Sequence, residues 1–176
     1  MSAIDRNLRR DLRYAAARFF LGDLRAGDAI RTIEDAMKTG LWRDDFLAIL
    51  DCEPILREAT EPFRRCLDAL GVAVNGYEEA LLAIVDWHTH MIVSGKKAWL
   101  QSLFRDLGNF DFSISWHRRL LDANDASMLW GLYQESSAFL FDDSDPSPPD
   151  RDKVCQAYRL SILQEAVRWQ KARGGL

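Results

Sequence analysis

The chain has 176 residues, of which 48% are hydrophobic and 28% are charged, close to the average of globular proteins. This composition excludes a wholly disordered or collagen-like chain. Its 23 lysines and arginines against 27 aspartates and glutamates give a formal charge of -4, so bulk electrostatics favours no nucleic-acid partner. The length fits one domain, and we predict a single helical domain over 1–176.

Neither a membrane span nor a secretion signal is predicted. The apolar run at residues 80–85 is far shorter than the roughly 20 residues that a spanning helix needs. Arg18 interrupts the apolar stretch near the N-terminus, whereas a secretory signal needs an unbroken apolar centre of about seven residues. Cys52, Cys66 and Cys155 are odd in number and widely spaced, which favours reduced thiols in the cytoplasm over a disulfide with a reactive thiol. We therefore expect a cytoplasmic protein.

Glycines and apolar periodicity predict an all-α, single-domain bundle of about seven to nine helices. Several glycines follow stretches of helical periodicity, where a left-handed residue ends a helix without steric cost. The predicted helices cover residues 2–21, 26–39, 44–50, 75–94, 97–107, 115–123, 126–139 and 151–173. In the third of these, Phe46, Leu47 and Leu50 are the predicted buried anchors.

Two local signals define helix starts in the middle of the chain. Proline damages a helix interior but suits its first turn, so Pro62, with Thr60 as N-cap, predicts a break near Ala59. Asn75 and Glu78 have the spacing of a capping box. The helix that follows has an apolar stripe made of Tyr77, Leu81, Ile84, Val85, His88, Met91 and Ile92.

The acidic segment 141–150 contains three of the five prolines, which force extended or turn backbone. We interpret it as a linker to the long C-terminal helix 151–173, with a functional acidic loop as the alternative. A helix–glycine–helix pattern also occurs twice, beginning at Phe19 and at Met91. It is consistent with two helical sub-units related by duplication, or with the general likeness of short helices.

No familiar catalytic pattern occurs, and neither a cofactor nor a metal site is predicted. His88 and His90 point about 200° apart on a helix, so they cannot hold one metal ion. Nucleophile-elbow, phosphate-loop and Glu-x-x-His patterns are missing. Asp86 and His90 are an i, i+4 pair on the polar face, which could exchange protons or simply pair at the surface. We assign no catalytic residue and expect the chain not to be an enzyme.

Charge is unevenly distributed along the chain. Residues 34–61 contain eight acidic residues against three basic ones, and residues 142–152 contain five aspartates against one arginine. These two segments carry more negative charge than the whole chain, whereas the terminal helices are basic. Acidic patches steer basic partners and raise association rates, although a solvated face with no partner is the alternative.

Among six tryptophans, Trp42 stands out because it directly precedes an acidic pair, and exposed tryptophans beside carboxylates favour interfaces. The segments ARFFLGDLRAGDAI and LLAIVDWHTHMIVSG have a helix–glycine–helix layout within a compact acidic chain. Over about the first 110 residues, the chain resembles small all-helical bacterial immunity proteins, which bind and neutralise a toxin.

The resemblance implies a cytoplasmic inhibitor that binds a basic protein partner, a cognate toxin or effector, with no role for nucleic acid or a membrane. Its implied contact residues are Trp42, Asp44, Asp45, Asp142, Asp143 and Asp145. Two alternatives come from other classes of protein. One is a metal-dependent or acid–base enzyme that uses Asp86 and His90, and the other is a helical adaptor or secretion chaperone with an exposed apolar groove.

Overall fold

A computed structural model describes residues 4–96, 122, 124–129, 131–132, 135 and 151–174. In this part of the chain there are six helices of defined length and no strand, so the all-α prediction is confirmed. The helices are α1 (Arg6–Phe20), α2 (Ala26–Lys38), α3 (Asp45–Leu50), α4 (Leu56–Leu70), α5 (Tyr77–Val93) and α6 (Arg151–Ala172). The predicted long C-terminal helix is α6, with 22 residues.

Some predictions fall outside the described residues. They are the helix at 97–107, nearly all of the helix at 115–123 and the acidic segment at 141–150. Of the predicted helix at 126–139, residues 127–129, 131–132 and 135 are described and helical.

The chain divides into two compact units, Met1–Ile84 and Val85–Leu176, and the boundary falls within α5. Helices α1 to α4 belong to the first unit, whereas α6 belongs to the second. The single domain over 1–176 stays a prediction.

Helix α1 begins later than the predicted residue 2 because Asp5 caps it. The Asp5 carboxylate accepts hydrogen bonds from the backbone N–H groups of Asn7 at 3.0 Å and Leu8 at 3.4 Å. Such a cap satisfies donors that have no partner within the helix, and so defines its first turn. Gly22, with φ of 74°, follows the last turn as the periodicity predicted.

The core of the first unit is built from side chains of α1 to α4. Helix α4 packs against α2 and α3, and α1 packs against α2. Phe19 of α1 meets Phe63 of α4 edge to face, with ring centroids 5.2 Å apart. The side chains that are fully inaccessible in these helices are Leu12, Ala17, Ile33, Ala36, Phe46, Ile49, Phe63 and Cys66.

The predicted break near Ala59 is wrong, since α4 is continuous from Leu56 to Leu70 and contains Pro62 in its interior. Proline has no N–H, so the carbonyl of Glu58 loses its partner four residues ahead. The Cys52 thiol lies 3.5 Å from that carbonyl oxygen. Ala59 and Phe63, each at most 1% exposed, are then both buried on one helix face, which stabilises the uninterrupted helix.

Helix α5 begins at Tyr77, two residues later than predicted. Glu79 accepts a hydrogen bond from the backbone N–H of Asn75, at 3.2 Å. Leu81, Ile84, Val85 and His88 are buried as the apolar stripe predicted. Tyr77 differs from that prediction, because it is 54% exposed and packs edge to face on Phe20 near the end of α1.

Candidate protein-binding surface

The segment at residues 42–55 exposes both apolar and acidic side chains. Three large apolar side chains are about half exposed: Trp42 at 47%, Leu47 at 51% and Ile55 at 49%. Acidic side chains lie between them in the chain. We call this set of exposed residues the α3 surface, and it consists of Trp42, Asp44, Asp45, Leu47, Asp51, Glu53 and Ile55.

The exposure of Leu47 follows from the phase of the short helix α3. Phe46 and Ile49 are fully buried, and their spacing of three residues places them on one face. Leu47 therefore lies on the outer side, and the prediction that it is a buried anchor is wrong. Leu50, also predicted as an anchor, is half-buried.

Trp42 is held in place although its indole is half exposed. Its ring packs edge to face on the buried Phe46, with ring centroids 6.5 Å apart and an interplanar angle of 65°. The neighbouring Arg43 donates from its guanidinium to the carbonyl oxygen of Trp42, at 2.7 Å. A restrained aromatic side chain loses little conformational entropy when a partner covers it.

The acidic side chains of this surface face solvent. Asp44 and Asp45, both predicted contact residues, are exposed, and so are Asp51 and Glu53. Within the described part of the chain, none of these four carboxylates forms a salt bridge or side-chain hydrogen bond. Their negative charge is thus directed outward, where it can attract a positively charged surface.

Two thiols donate to backbone carbonyl groups of α3. The Cys66 thiol donates to the carbonyl oxygen of Asp45 at 3.4 Å, and the Cys52 thiol donates to that of Ala48 at 3.1 Å. Burial raises the pKa of Cys66 to about 11, so its thiol keeps the proton that it donates at neutral pH. No disulfide joins Cys52, Cys66 and Cys155, all of which are described. These bonds help to fix the backbone that carries the α3 surface.

Asp86 and His90, the polar pair predicted on α5, differ from the carboxylates of the α3 surface because both have hydrogen-bond partners. The carboxylate of Asp86 accepts a hydrogen bond from the Gln170 amide of α6, at 3.0 Å. The same Gln170 nitrogen lies 3.0 Å from the Asp86 carbonyl oxygen and 2.7 Å from the Thr89 hydroxyl. Gln170 and Thr89 are both fully buried. Asp86 thus takes part in a polar network that joins α5 to α6.

His90, the other member of that pair, has its Nε2 atom 3.4 Å from the Ser94 hydroxyl, one turn further along α5. His88 is 1% exposed and its ring meets that of Trp87 edge to face. Among the described residues there is no group of three histidine, cysteine, aspartate or glutamate side chains that could hold a metal ion.

A second charged cluster holds α6 to the turn at residues 124–125. Arg168 donates to both carboxylate oxygens of Glu165, at 2.8 and 2.5 Å, and to the carboxylate and carbonyl oxygens of Asp125. These carboxylates raise the pKa of Arg168, and the Arg168 guanidinium lowers the pKa of Asp125. Arg173, near the end of α6, lies over the Trp169 ring at 4.2 Å.

Sequence reasoning found part of the α3 surface and missed the rest. It singled out Trp42, Asp44 and Asp45 from their adjacency, but not Leu47, Asp51, Glu53 and Ile55. The acidic excess at residues 34–61 was the available signal for Asp51 and Glu53. The predicted contacts Asp142, Asp143 and Asp145 lie outside the described residues.

Membrane-spanning helices and similarity to known proteins were also considered. No helix in the described ranges is both long and apolar enough to cross a membrane. No family model, curated protein or solved structure matches the chain.

Proposed function

We propose that this chain is an inhibitor that binds another protein, and specifically an immunity protein that neutralises a cognate bacterial toxin. The observation that carries the proposal is the α3 surface, where three half-exposed apolar side chains alternate with four exposed carboxylates. An apolar patch with charged residues at its rim is a typical composition for a protein interface. The partner that fits it has an apolar pocket surrounded by lysine and arginine side chains.

The two kinds of side chain have different roles in this proposal. Trp42 is the anchor, because buried tryptophans at the centre of an interface contribute more binding energy than most other residues. Asp44, Asp45, Asp51 and Glu53 attract the basic partner over a distance and raise the rate of association. Such steering weakens as salt increases, because the screening length falls to a few ångströms near 1 M salt.

The rigidity of the segment also supports inhibition. Trp42 packs on Phe46, and the thiols of Cys52 and Cys66 donate to carbonyl groups of α3. A preformed binding surface loses less entropy on association, which favours the slow dissociation that an inhibitor needs. The acidic residues Asp142, Asp143 and Asp145 extend this proposal as a second contact.

The test is to produce the chain together with the protein encoded by the adjacent gene. We expect a 1:1 complex and protection of the producing cell from that protein's toxicity. Trp42→Ala should weaken the complex at least about tenfold, the effect of losing one interfacial anchor. Its matched control is Tyr77→Ala, which removes another half-exposed aromatic ring outside the α3 surface.

Salt dependence tests the electrostatic part of the proposal. The association rate should fall markedly between about 50 and about 500 mM salt, and Asp44→Asn with Asp45→Asn should flatten that dependence. Glu34→Gln, which removes an exposed charge on α2, is the control. An association rate that does not change with salt would contradict the role of the carboxylates, and equal binding by the Trp42 variant would contradict the surface.

A further inference from the structure

Helix α6 has an exposed apolar face in addition to its buried one. Ile162, Ala166 and Trp169 are buried on one side. On the other side Leu160 is 56% exposed and Leu163 is 40% exposed. Both leucines therefore keep a large accessible surface, and covering it with another molecule is favourable.

The exposed side of α6 forms a continuous stripe. At 100° per residue, the residues of this stripe fall within an arc of about 120° around the helix axis, opposite the buried Ile162, Ala166 and Trp169. We call this stripe the α6 outer face, and it consists of Lys153, Gln156, Ala157, Leu160, Leu163, Gln164, Val167 and Lys171. Two leucines lie near its middle, a lysine lies towards each end, and it includes no acidic residue.

The α6 outer face and the α3 surface are complementary in charge and similar in apolar character. The α3 surface has four carboxylates around Trp42, Leu47 and Ile55, whereas the α6 outer face has lysines around Leu160 and Leu163. A second copy of the chain thus offers each surface a partner of opposite charge.

We propose that the α6 outer face of one copy docks on the α3 surface of a second copy. The leucines of α6 cover Trp42 and Leu47, and the lysines approach the carboxylates. Because the two surfaces differ, this contact is head-to-tail, and it continues into chains of molecules unless a ring closes. The inference rests on the same α3 surface as the proposed function, so a toxin and a second copy compete for it.

Sedimentation velocity of the full chain tests this contact at about 50 and about 500 mM salt, at concentrations up to about 1 mM, where weak contacts are populated. We expect the mean mass to exceed that of a monomer at low salt, and the association to weaken about tenfold at high salt. A monomer at low salt throughout this concentration range would overturn the proposal.

Two variants separate a head-to-tail contact from a symmetric one. Trp42→Ala with Leu47→Ser removes the apolar part of the α3 surface, and Leu160→Ser with Leu163→Ser removes that of the α6 outer face. Each variant alone should be monomeric. Their equimolar mixture should form a dimer and nothing larger, because one intact surface remains on each molecule. A mixture that stays monomeric, or a single variant that still associates, contradicts the head-to-tail contact.

Folding and the proposed function are controlled separately. Circular dichroism checks that each variant is folded. A second pair of double variants leaves every apolar side chain in place: one carries Asp44→Asn and Asp45→Asn, and the other carries Lys153→Gln and Lys171→Gln. Met128→Ser is the control, because Met128 is an exposed apolar residue that belongs to neither surface. This variant should associate as the unmodified chain does. Toxin binding by the unmodified chain, together with no self-association of that chain at low salt, refutes only this inference. Self-association without any effect of Trp42→Ala on toxin binding refutes only the proposed function.

Discussion

Two groups of acidic side chains have contrasting roles: the carboxylates of the α3 surface in the first unit, and Asp86 and Glu165 in the second. In the first unit, Asp44 and Asp45 are exposed and form no ion pair with any described residue. In the second unit, Asp86 accepts from buried Gln170, and Glu165 accepts two hydrogen bonds from Arg168. A carboxylate with an internal partner stabilises the fold, whereas one without such a partner is available to another molecule. The contrast explains why we assign binding to the first group alone.

Removal of Gln170 tests the structural side of this contrast and should have the largest effect. Gln170→Ala leaves a cavity and deprives Asp86 and Thr89 of their donor, so we expect a loss of about 2–3 kcal/mol in the free energy of unfolding. Urea denaturation followed by circular dichroism measures it. Gln164→Ala, an exposed position on the same helix, is the matched control and should change stability by less than about 0.5 kcal/mol. Equal effects at the two positions would show that the network contributes nothing.

Neutralising one carboxylate in each unit compares the two groups directly. Glu165→Gln replaces a 9% exposed acceptor of Arg168, and we expect it to cost about 1 kcal/mol, reduced by the partial exposure of the arginine. Asp45→Asn makes the same chemical change on the α3 surface and should leave stability within about 0.5 kcal/mol. Thermal unfolding of both variants gives the comparison. A larger loss at Asp45 than at Glu165 would reverse our assignment of the two groups.

The helices themselves could largely be predicted from sequence, because their signals are local. The limits of α2 and the left-handed glycine after α4 follow from periodicity and from the conformational freedom of Gly71, whose φ is 63°. The continuity of α4 through Pro62 could not be predicted in this way. It depends on tertiary packing, because Ala59 and Phe63 are buried on one face of α4 and stabilise the helix although Pro62 lacks an N–H group.

The candidate sites were less predictable because they depend on helix phase and on distant pairs. A shift of one residue in the buried face of α3 exposes Leu47 and buries Ile49, and both are plausible from a run of apolar residues. The bond from Gln170 to Asp86 joins residues 84 positions apart, and no pattern along the chain indicates it. Adjacency in sequence did single out Trp42 and Asp44, because both residues lie in the short segment that directly precedes α3.

The smallest expected effect is on stability at low pH, where the paired carboxylate of Asp125 can be compared with the exposed carboxylate of Asp44. The Arg168 guanidinium lowers the pKa of Asp125 below its ordinary value of 3.8. A carboxylate with a depressed pKa in the folded chain stabilises the fold above that ordinary pKa, and the contribution is lost as the pH falls through the folded value. Arg168→Gln should therefore remove part of the decrease in melting temperature below about pH 4, which thermal scans at several pH values measure. Asp44→Asn should leave that decrease unchanged, since Asp44 has no described cationic partner. A smaller decrease in melting temperature in this variant would show that the α3 surface also stabilises the fold through its charges.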